Sequence, residues 1–260
     1  MTIGGVARNL RLLLRHPSVF LGQRGYVLIL SHMRSYSTLL AHLLGSHPEI
    51  AGYAEMNLPY ARRRDLLRLR AQVARSLDGD LEGRFVLDKM LHDEHPLGRE
   101  ILSDPNVYPV FLVRRPAETV SSILKMNERL PDRQLYPGEG EAVGYYAGRL
   151  ETLAQLGRDR KGPAFVIRAE DLVTDPEVTL AGLGRFLGLS TPIQTTYSTF
   201  PLTGVPGRGD FSDAIREGRI QRPDGSALVE LSPDVLAAGE RAHSRCLGTL
   251  ESLFRPADDD

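Results

Sequence analysis

The sequence contains no tryptophan and a single cysteine, Cys246. One cysteine excludes an internal disulfide framework and a cysteine metal cluster, and it fits a reducing compartment. No apolar run reaches the length of a transmembrane helix. Arginines interrupt residues 1–22, which lack the apolar core of a signal peptide, so we expect an amphipathic N-terminal helix there. Packing on the body is favoured for this helix, with peripheral membrane contact as the alternative. These absences predict a cytoplasmic protein.

Net charge is also nearly absent, at −1, but it is unevenly distributed. Residues 1–75 hold eleven arginines and three acidic residues, a balance of +8, which leaves −9 for the rest of the chain. Such a basic end is either an arginine-rich helix surface or a region that attracts an anionic ligand. Nucleic acid is disfavoured as a partner because no aromatic residues are interleaved with the arginines.

The chain has ordinary globular composition, with 42% hydrophobic and 25% charged residues, and it shows neither internal repeats nor a long linker. We therefore expect residues 1–260 to form a single α/β domain, with a disordered tail at 255–260. Continuous apolar strands alternate with amphipathic helices. The predicted strands are Tyr26–Leu30, Arg84–Leu87, Val110–Val113 and Ala164–Ile167, and helices follow the first, third and fourth. The third strand's helix begins near Pro116 and runs to about Lys125, and the fourth strand's spans Pro176–Leu187.

This alternation predicts a parallel sheet covered by helices on both faces, with a ligand outside the carboxyl ends of the strands. Between the first two strands, residues 62–75 form a predicted helix with an apolar face and a solvated arginine face. Turn residues dominate 131–140 and 200–209, and the second stretch has the composition of a lid or ligand loop.

The turn after the first strand has the composition of an anion site. Ser35, Ser37 and Thr38 fall where the helix begins, and Arg34 adds a cation with a planar fork of donors. Unpaired backbone N–H groups and the helix dipole favour a phosphate at such a helix start. Plain N-capping by serine or threonine is the alternative. The turn lacks the glycines and the lysine of a nucleoside-triphosphate P-loop.

A second candidate anion site follows the strand Val110–Val113. Arg114 ends this strand, and Ser122 lies eight residues later on the following helix. Taken singly, Arg114 is typical of a structural ion pair and Ser122 of a small residue in helix packing. Together with the first turn, they favour a ligand that carries two separated phosphate groups.

Three segments in this order resemble those of the sulfotransferases. "MRSYSTLLAHLLGSHPEI" resembles the family's 5′-phosphosulfate-binding segment, and "VFLVRRPAETVSSILKM" resembles its 3′-phosphate-binding segment. "IRAEDLVTDPEVTLAGLGRFLGL" resembles the later segment that ends the family's core. The likeness covers roughly residues 25–57, 84–128 and 163–190. It implies a P-loop-like α/β fold, 3′-phosphoadenosine 5′-phosphosulfate as donor, and sulfuryl transfer to a hydroxyl or amine without a metal.

The resemblance also assigns roles to individual residues. Glu55, eight residues after His47, matches the glutamate base of protein-tyrosine, Golgi-type and bacterial members, and Lys89 matches a lysine that faces the sulfuryl group. Arg34 matches the basic residue that neutralises charge on the bridging oxygen as the nucleotide leaves. The remaining matches concern donor binding. The 5′-phosphate loop would comprise Arg34, Ser35, Tyr36, Ser37 and Thr38, and the 3′-phosphate pair would be Arg114 and Ser122.

Three positions depart from the family's pattern. Tyr36 stands where a glycine is usual, which predicts a different loop shape or different surroundings for the base. Ala169 stands where many members have the tyrosine that meets adenine, so another side chain must cover the base. Many members carry a Lys-Gly loop for the 3′-phosphate near the C-terminus, and the nearest counterpart here is Arg208 and Gly209, followed by Asp210.

Two other functions are compatible with the sequence. A P-loop-type kinase is disfavoured because the Walker lysine and an acidic magnesium site are missing. A degenerate member would hold a nucleotide or a sulfated ligand without turnover. His92 and His95 are more typical of surface residues than of metal ligands, so no metal site is predicted. The acceptor, which is a small molecule, a glycan, a lipid-linked sugar or a tyrosyl side chain, would lie between residues 62–75, 131–140 and 200–209. No pattern indicates an oligomeric state.

Overall fold

A five-stranded, all-parallel sheet lies at the centre of the protein. The computed structural model describes residues 24–77, 81–129, 135–205, 210, 212–222 and 228–254. The strand order is β2-β3-β1-β4-β5, so β1 is central and is flanked by β3 and β4. The strand bounds are β1 Gly25–Ser31, β2 Ile50–Ala51, β3 Phe85–Met90, β4 Val107–Val113 and β5 Phe165–Arg168.

Helices connect the strands and cover the sheet. Those before β4 are α1 Ser37–Gly45, α2 Arg63–Leu77 and α3 Arg99–Leu102. Those after β4 are α4 Pro116–Arg129, α5 Glu139–Asp159, α6 Asp171–Thr174, α7 Pro176–Leu187 and α8 Pro233–Phe254. A short 3₁₀ helix spans Asp213–Glu217.

The side chains of β1 alternate between two apolar layers, as the period of a strand requires. Tyr26, Leu28 and Leu30 pack with residues of α2, α5 and α8, whereas Val27 and Ile29 pack with residues of α1 and α7. Each face of the sheet is therefore buried under helices. The predicted three-layer α/β fold with a central parallel sheet is confirmed.

The structure extends several of the predicted elements. Strand β3 continues to Met90 rather than ending at Leu87, so Asp88 and Lys89 are strand residues despite their charge. Helix α4 continues to Arg129, beyond Lys125. The pattern also missed helices α5 and α8, which pack against each other and on the sheet. Charged residues inside a strand, and glycines inside α5, conceal the apolar periodicity on which the prediction relied.

The arginine face of α2 departs from its prediction at one position. Arg64 and Arg68 are exposed as expected, but Arg70 is fully buried and hydrogen-bonds the phenol of Tyr26. The prediction that these arginines form a solvated face is therefore wrong for Arg70. Its long aliphatic stem packs within the layer while its guanidinium meets a buried polar group.

Several predicted segments fall wholly or partly outside the described residues. Residues 1–22, 255–260 and 206–209 lie outside them, as do residues 131–134 of the predicted turn before α5. In that turn, helix α5 already begins at Glu139. Among the described helices, none combines the length and apolarity needed to cross a membrane.

Gly52, between β2 and Glu55, is a position where only glycine fits. Its φ is +112°, and a Cβ there would lie 2.5 Å from the carbonyl oxygen of Leu87 in β3. We expect Gly52→Ala to lower the free energy of unfolding by about 2–4 kcal/mol, because strain and a backbone clash act together.

Urea denaturation measures this effect. Gly144→Ala is the matched control, because Gly144 lies inside α5 and a Cβ there would meet no atom within 4 Å. The control should raise the free energy of unfolding by about 0.5–1 kcal/mol. Equal effects of the two substitutions would contradict the role assigned to Gly52.

Candidate active site

Three neighbouring strands end at one edge of the sheet and bring the predicted site residues together. Strand β1 ends at Ser31, β3 at Met90 and β4 at Val113. The residues that follow or end these strands include Arg34, Lys89 and Arg114. This edge is where parallel α/β sheets bind ligands, because the strand ends leave a crevice there.

The turn from β1 into α1 uses two left-handed residues, Arg34 with a φ of 61° and Tyr36 with a φ of 64°. Tyr36 thus takes a conformation that glycine adopts readily, and its large side chain is the feature that a glycine would lack at this position. Such a conformation costs a non-glycine residue about 1–2 kcal/mol. Arg114 offsets this cost. Its guanidinium carbon lies 4.1 Å from the centre of the Tyr36 ring, and Nη2 donates to the Tyr36 hydroxyl at 2.9 Å.

The start of α1 is left available to an anion. Tyr36 occupies the N-cap position and makes no side-chain cap hydrogen bond, and the first turn contains no acidic residue. Capping by a serine or threonine side chain, the alternative reading of this turn, is thus not what the structure shows. The first backbone N–H groups of a helix have no partner within the helix, so they can donate to a ligand.

The hydroxyls of this turn are engaged in different ways. Ser35 is fully buried, and its hydroxyl donates to the carbonyl of His32 at 2.7 Å and lies 2.6 Å from the hydroxyl of Ser31. The Thr38 hydroxyl oxygen accepts from Lys89 Nζ and from the Asp210 amide, each at 3.1 Å. Ser35 thus stiffens the turn, while Thr38 faces the end of β3.

The second predicted anion site is in direct contact with the first. Arg114 Nη1 donates to the carbonyl of Arg34 at 2.8 Å, and Arg34 Nε donates to the hydroxyl of Ser122 at 2.8 Å. Arg114 Nε is buried and finds no partner among the described residues. An unpaired buried donor is costly, so it indicates a position where a ligand oxygen would be favourable.

A cavity of about 120 Å³ opens beside Ser122. Its lining includes Arg34, Lys125 and Arg129, and also the carboxylate of Asp210, whose Oδ1 lies 3.5 Å from Arg34 Nη1. Cations outnumber the acidic group in this lining. The cavity is therefore suited to an oxyanion, and Asp210 is the group that an incoming anion would face.

On the other side of the α1 start, Lys89 and Glu55 form a pair. Lys89 is 2% exposed, and its Nζ lies 3.8 Å from Glu55 Oε2 and 3.1 Å from Thr38 Oγ1. Burial lowers the pKa of Lys89, whereas the nearby carboxylates of Glu55, Asp88 and Asp210 act to raise it. A carboxylate and a buried ammonium thus meet at the helix start, on the side away from Ser122.

The sequence did not point to several residues that hold this edge together. Arg149 of α5 is 3% exposed, and it donates to the carbonyls of Ser31 and Met90, each at 2.8 Å. It thereby ties the ends of β1 and β3. Tyr145 accepts from the Met33 amide at 2.8 Å. Both side chains come from the helix that the pattern missed, and only a recognised α5 would have revealed them.

His32 fixes Arg114 from inside the turn. It is fully buried, its Nδ1 lies 2.9 Å from the Met33 carbonyl, and its Nε2 lies 3.0 Å from the amide of Arg114. In the second contact the backbone amide of Arg114 is the donor, so Nε2 must be unprotonated to accept the hydrogen bond. Burial lowers the pKa of His32 from 6.5 to about 3, so the ring is neutral.

Because the folded protein keeps His32 neutral, we expect the free energy of unfolding to fall in acid. Below pH 6.5 the unfolded chain binds a proton at His32 while the folded chain does not, so stability falls as the pH drops from 6.5 towards 3. The contribution from this one group is about 1 kcal/mol per pH unit. Denaturant unfolding of wild type and His32→Gln between pH 7 and 4 measures it. The variant should lose stability less steeply, and parallel curves would contradict the assignment.

The remaining predicted positions are Ala169, Arg208, Gly209, His92 and His95. Ala169 is fully buried and offers no ring to a base. Arg208 and Gly209 lie outside the described residues, although the neighbouring Asp210 is described. His92 and His95 follow β3, and across the described part of the chain no three His, Cys, Asp or Glu side chains group as metal ligands would.

Neither a protein-family model nor a curated protein matches the sequence. Among solved structures, the sulfotransferase domain from the curacin biosynthetic pathway matches with a TM-score of 0.52 and 18% identity, covering 84% of this chain and 96% of that domain. The sulfotransferase domain of the Synechococcus PCC 7002 olefin synthase has a TM-score of 0.49 and 20% identity, covering 85% and 94%. The sulfotransferase STF9 from Mycobacterium avium has a TM-score of 0.48 and 14% identity, covering 94% and 81%.

At these identities the likeness is one of fold. The match to the curacin-pathway domain spans nearly all of that domain, so the chain has the overall α/β architecture of a sulfotransferase domain. The other two matches have TM-scores below 0.5 and add nothing to this conclusion.

Proposed function

We propose that this protein is a sulfotransferase that moves a sulfuryl group from 3′-phosphoadenosine 5′-phosphosulfate to a hydroxyl or amine of its acceptor. The observation that carries the proposal is the buried Lys89, 3.8 Å from Glu55 and 3.1 Å from Thr38 at the uncapped start of α1. Burying an ammonium is costly, and a chain retains such a group where its charge is needed.

Sulfuryl transfer, by analogy with phosphoryl transfer, depends on in-line placement and on positive charge near the bridging and equatorial oxygens. Lys89 would supply that charge: burial lowers its pKa, and the carboxylates of Glu55, Asp88 and Asp210 oppose that shift. The backbone N–H groups at the start of α1 would hold the 5′ end of the donor. Lys89 and the start of α1 lie at the same edge of the sheet, so both could contact the phosphosulfate end of one donor molecule.

The other half of the donor would be held by Arg114, Arg34 and Ser122. The unpaired Nε of Arg114 and the cationic cavity beside Ser122 support a second anionic group at this place. Arg34 joins the two halves, because it belongs to the α1 turn and donates to Ser122. From there it would neutralise charge on the departing nucleotide. Arg208 and Gly209 remain candidates for the 3′-phosphate.

In the proposed step, the acceptor oxygen or nitrogen forms a bond to sulfur while the bond from sulfur to the bridging oxygen breaks. Adenosine 3′,5′-bisphosphate leaves with the electron pair of that bond. Glu55 takes the proton of the acceptor, since a positioned carboxylate is a suitable base for a hydroxyl that is being attached to sulfur. No step of this scheme requires a metal ion.

The acceptor would approach Glu55 from the side formed by α2 and the segment after α7. Gln72 of α2 donates to the carbonyl of Met56 at 3.4 Å, and Phe200 stacks on Tyr53 with ring centres 4.1 Å apart. Arg62 and Arg63, at the α2 start, are exposed cations that would suit an acceptor already carrying negative charge. Unchanged acceptor affinity in an Arg62→Glu/Arg63→Glu double variant would contradict that detail.

Thermal melting with four ligands tests the proposed donor: adenosine 3′,5′-bisphosphate, 5′-AMP, ADP, and ATP with Mg²⁺. A ligand at 100 times its dissociation constant adds about 2.7 kcal/mol, which raises the Tm of a chain of this size by about 5–10 °C. We expect such a rise with the 3′,5′-bisphosphate only. A rise with ATP and Mg²⁺ alone would favour a kinase, and no rise with any ligand would favour a degenerate protein.

A further inference from the structure

Asp88 lies directly behind the proposed Lys89–Glu55 pair, and no role in the site has been assigned to it. It is 1% exposed. Its Oδ1 accepts from the backbone amides of Met56 at 2.9 Å and Lys89 at 2.8 Å, and its Oδ2 accepts from the hydroxyl of Tyr60. One carboxylate thus accepts three hydrogen bonds. Two of them come from backbone amides, that of Lys89 and that of Met56, the residue after Glu55.

The Asp88 carboxylate lies on the face of the sheet opposite to that of the Lys89 side chain. Successive side chains of a strand point to opposite faces, so Asp88 faces the layer of α2 and Tyr60 while Lys89 faces the start of α1. Asp88 therefore cannot touch a ligand held at that helix start. Its hydrogen bonds reach the pair through the backbone, and its charge also acts on Lys89 through space.

Met56 is the residue after Glu55, and its amide is the link between the Glu55 segment and strand β3. The following residue, Asn57, has a φ of 51°, so the chain turns sharply just beyond Glu55. The bond from Met56 to Asp88 holds this turn at a fixed distance from the strand that carries Lys89. Among the described residues, this bond alone joins the Met56 amide to β3.

Burying a carboxylate costs more free energy of desolvation than burying an apolar side chain. Burial raises the pKa of Asp88 to about 7, against the opposing effect of its three hydrogen bonds. An apolar residue would fill the same strand position at lower cost, as the neighbouring buried strand residues Leu87 and Met90 do. The feature that an apolar side chain would lack is the pair of amide contacts.

We propose that Asp88 is a positioning residue, whose carboxylate holds the backbone of Met56 and Lys89 so that Glu55 and Lys89 face each other. This inference rests on the proposed sulfotransferase function. It assigns Asp88 no contact with donor or acceptor. Its loss should lower the rate of the chemical step while leaving nucleotide binding intact, because the hydrogen bonds of Asp88 reach none of the groups proposed for nucleotide binding.

Three variants separate this role from plain stability. Asp88→Leu removes both amide contacts and should lower kcat about 100-fold, as misplacement by about 1 Å does, with KM for the donor unchanged. Asp88→Asn retains Oδ1 and should keep kcat within about threefold of wild type. Tyr60→Phe removes only the contact to Oδ2, so it should lower the Tm and leave kcat nearly unchanged.

The readouts are kcat and KM for 3′-phosphoadenosine 5′-phosphosulfate, and the Tm with adenosine 3′,5′-bisphosphate as a check on folding. Wild-type kcat in a folded Asp88→Leu variant would overturn the proposal, and so would an equal loss of kcat in Tyr60→Phe. Absence of nucleotide stabilisation in the wild type would instead count against the proposed function.

A measurement on the wild type covers the case in which Asp88→Leu does not fold. The amide hydrogen of Met56 should exchange at least about 100-fold more slowly than in an unfolded peptide, because it is bonded to a buried carboxylate. Fast exchange at Met56 would overturn the positioning role whatever reaction the protein catalyses. Slow exchange in the wild type that persists in a folded Asp88→Asn variant supports it.

Discussion

Replacing Lys89 with methionine is expected to reduce sulfuryl transfer by about 10²–10³-fold, the loss typical when one preorganised positive group is removed from a reacting oxygen. Methionine fits the space of the buried side chain, so the fold should survive. The Tm should change little, because the cost of burying the ammonium disappears together with its contacts to Glu55 and Thr38.

Turnover is measured as release of adenosine 3′,5′-bisphosphate from the donor. Binding of the bisphosphate itself should persist in Lys89→Met, because this product lacks the sulfuryl group that Lys89 would contact. Lys161→Met is the matched control, since Lys161 is an exposed lysine in the turn before β5. Full activity of Lys89→Met would remove the observation on which the proposed function depends.

Replacing Arg114 with alanine is expected to weaken binding of adenosine 3′,5′-bisphosphate on the order of 100-fold, as loss of a charged, forked donor from a buried anion site does. Two effects combine. The fork would no longer reach the bound phosphate, and the turn would lose the contacts from Arg114 to the Arg34 carbonyl and the Tyr36 hydroxyl. Titration calorimetry measures the dissociation constant.

The neighbouring arginine provides a matched control. Arg115 is exposed and follows Arg114 directly, so Arg115→Ala removes an equal charge from the adjacent position without touching the turn. It should leave the dissociation constant within about threefold of wild type, apart from a small long-range electrostatic effect. Similar losses in both variants would show that the general positive field, rather than the fork of Arg114, holds the nucleotide.

The fold could be predicted because its signals are local. Apolar strands followed by helix starts give the parallel α/β architecture, and the structure confirms both the architecture and the bounds Pro176–Leu187 of one helix. Strand β3 was cut short because Asp88 and Lys89 interrupt its apolar run. Their burial depends on partners brought from elsewhere in the chain, such as Tyr60 and Thr38, which no local pattern reveals.

The residues of the candidate site likewise include some that local sequence patterns could predict and some that they could not. Arg34, Lys89 and Arg114 stand at or next to strand ends in the sequence, so their convergence at one edge follows from the parallel sheet. Arg149 and His32 could not be predicted, because each acts through bonds to backbone atoms of another segment. The conformation of Tyr36 is a third case. Its left-handed φ is stabilised by Arg114, a residue far along the chain.

The most direct test of the proposed function is to incubate the purified protein with 3′-phosphoadenosine 5′-phosphosulfate and a panel of hydroxyl and amine acceptors, without added metal. Products are followed by mass spectrometry. We predict stoichiometric adenosine 3′,5′-bisphosphate and a sulfated acceptor, both greatly reduced in Lys89→Met. An intact donor with every acceptor, together with formation of ADP from ATP and Mg²⁺, would contradict the proposed function and identify a phosphoryl-transfer enzyme instead.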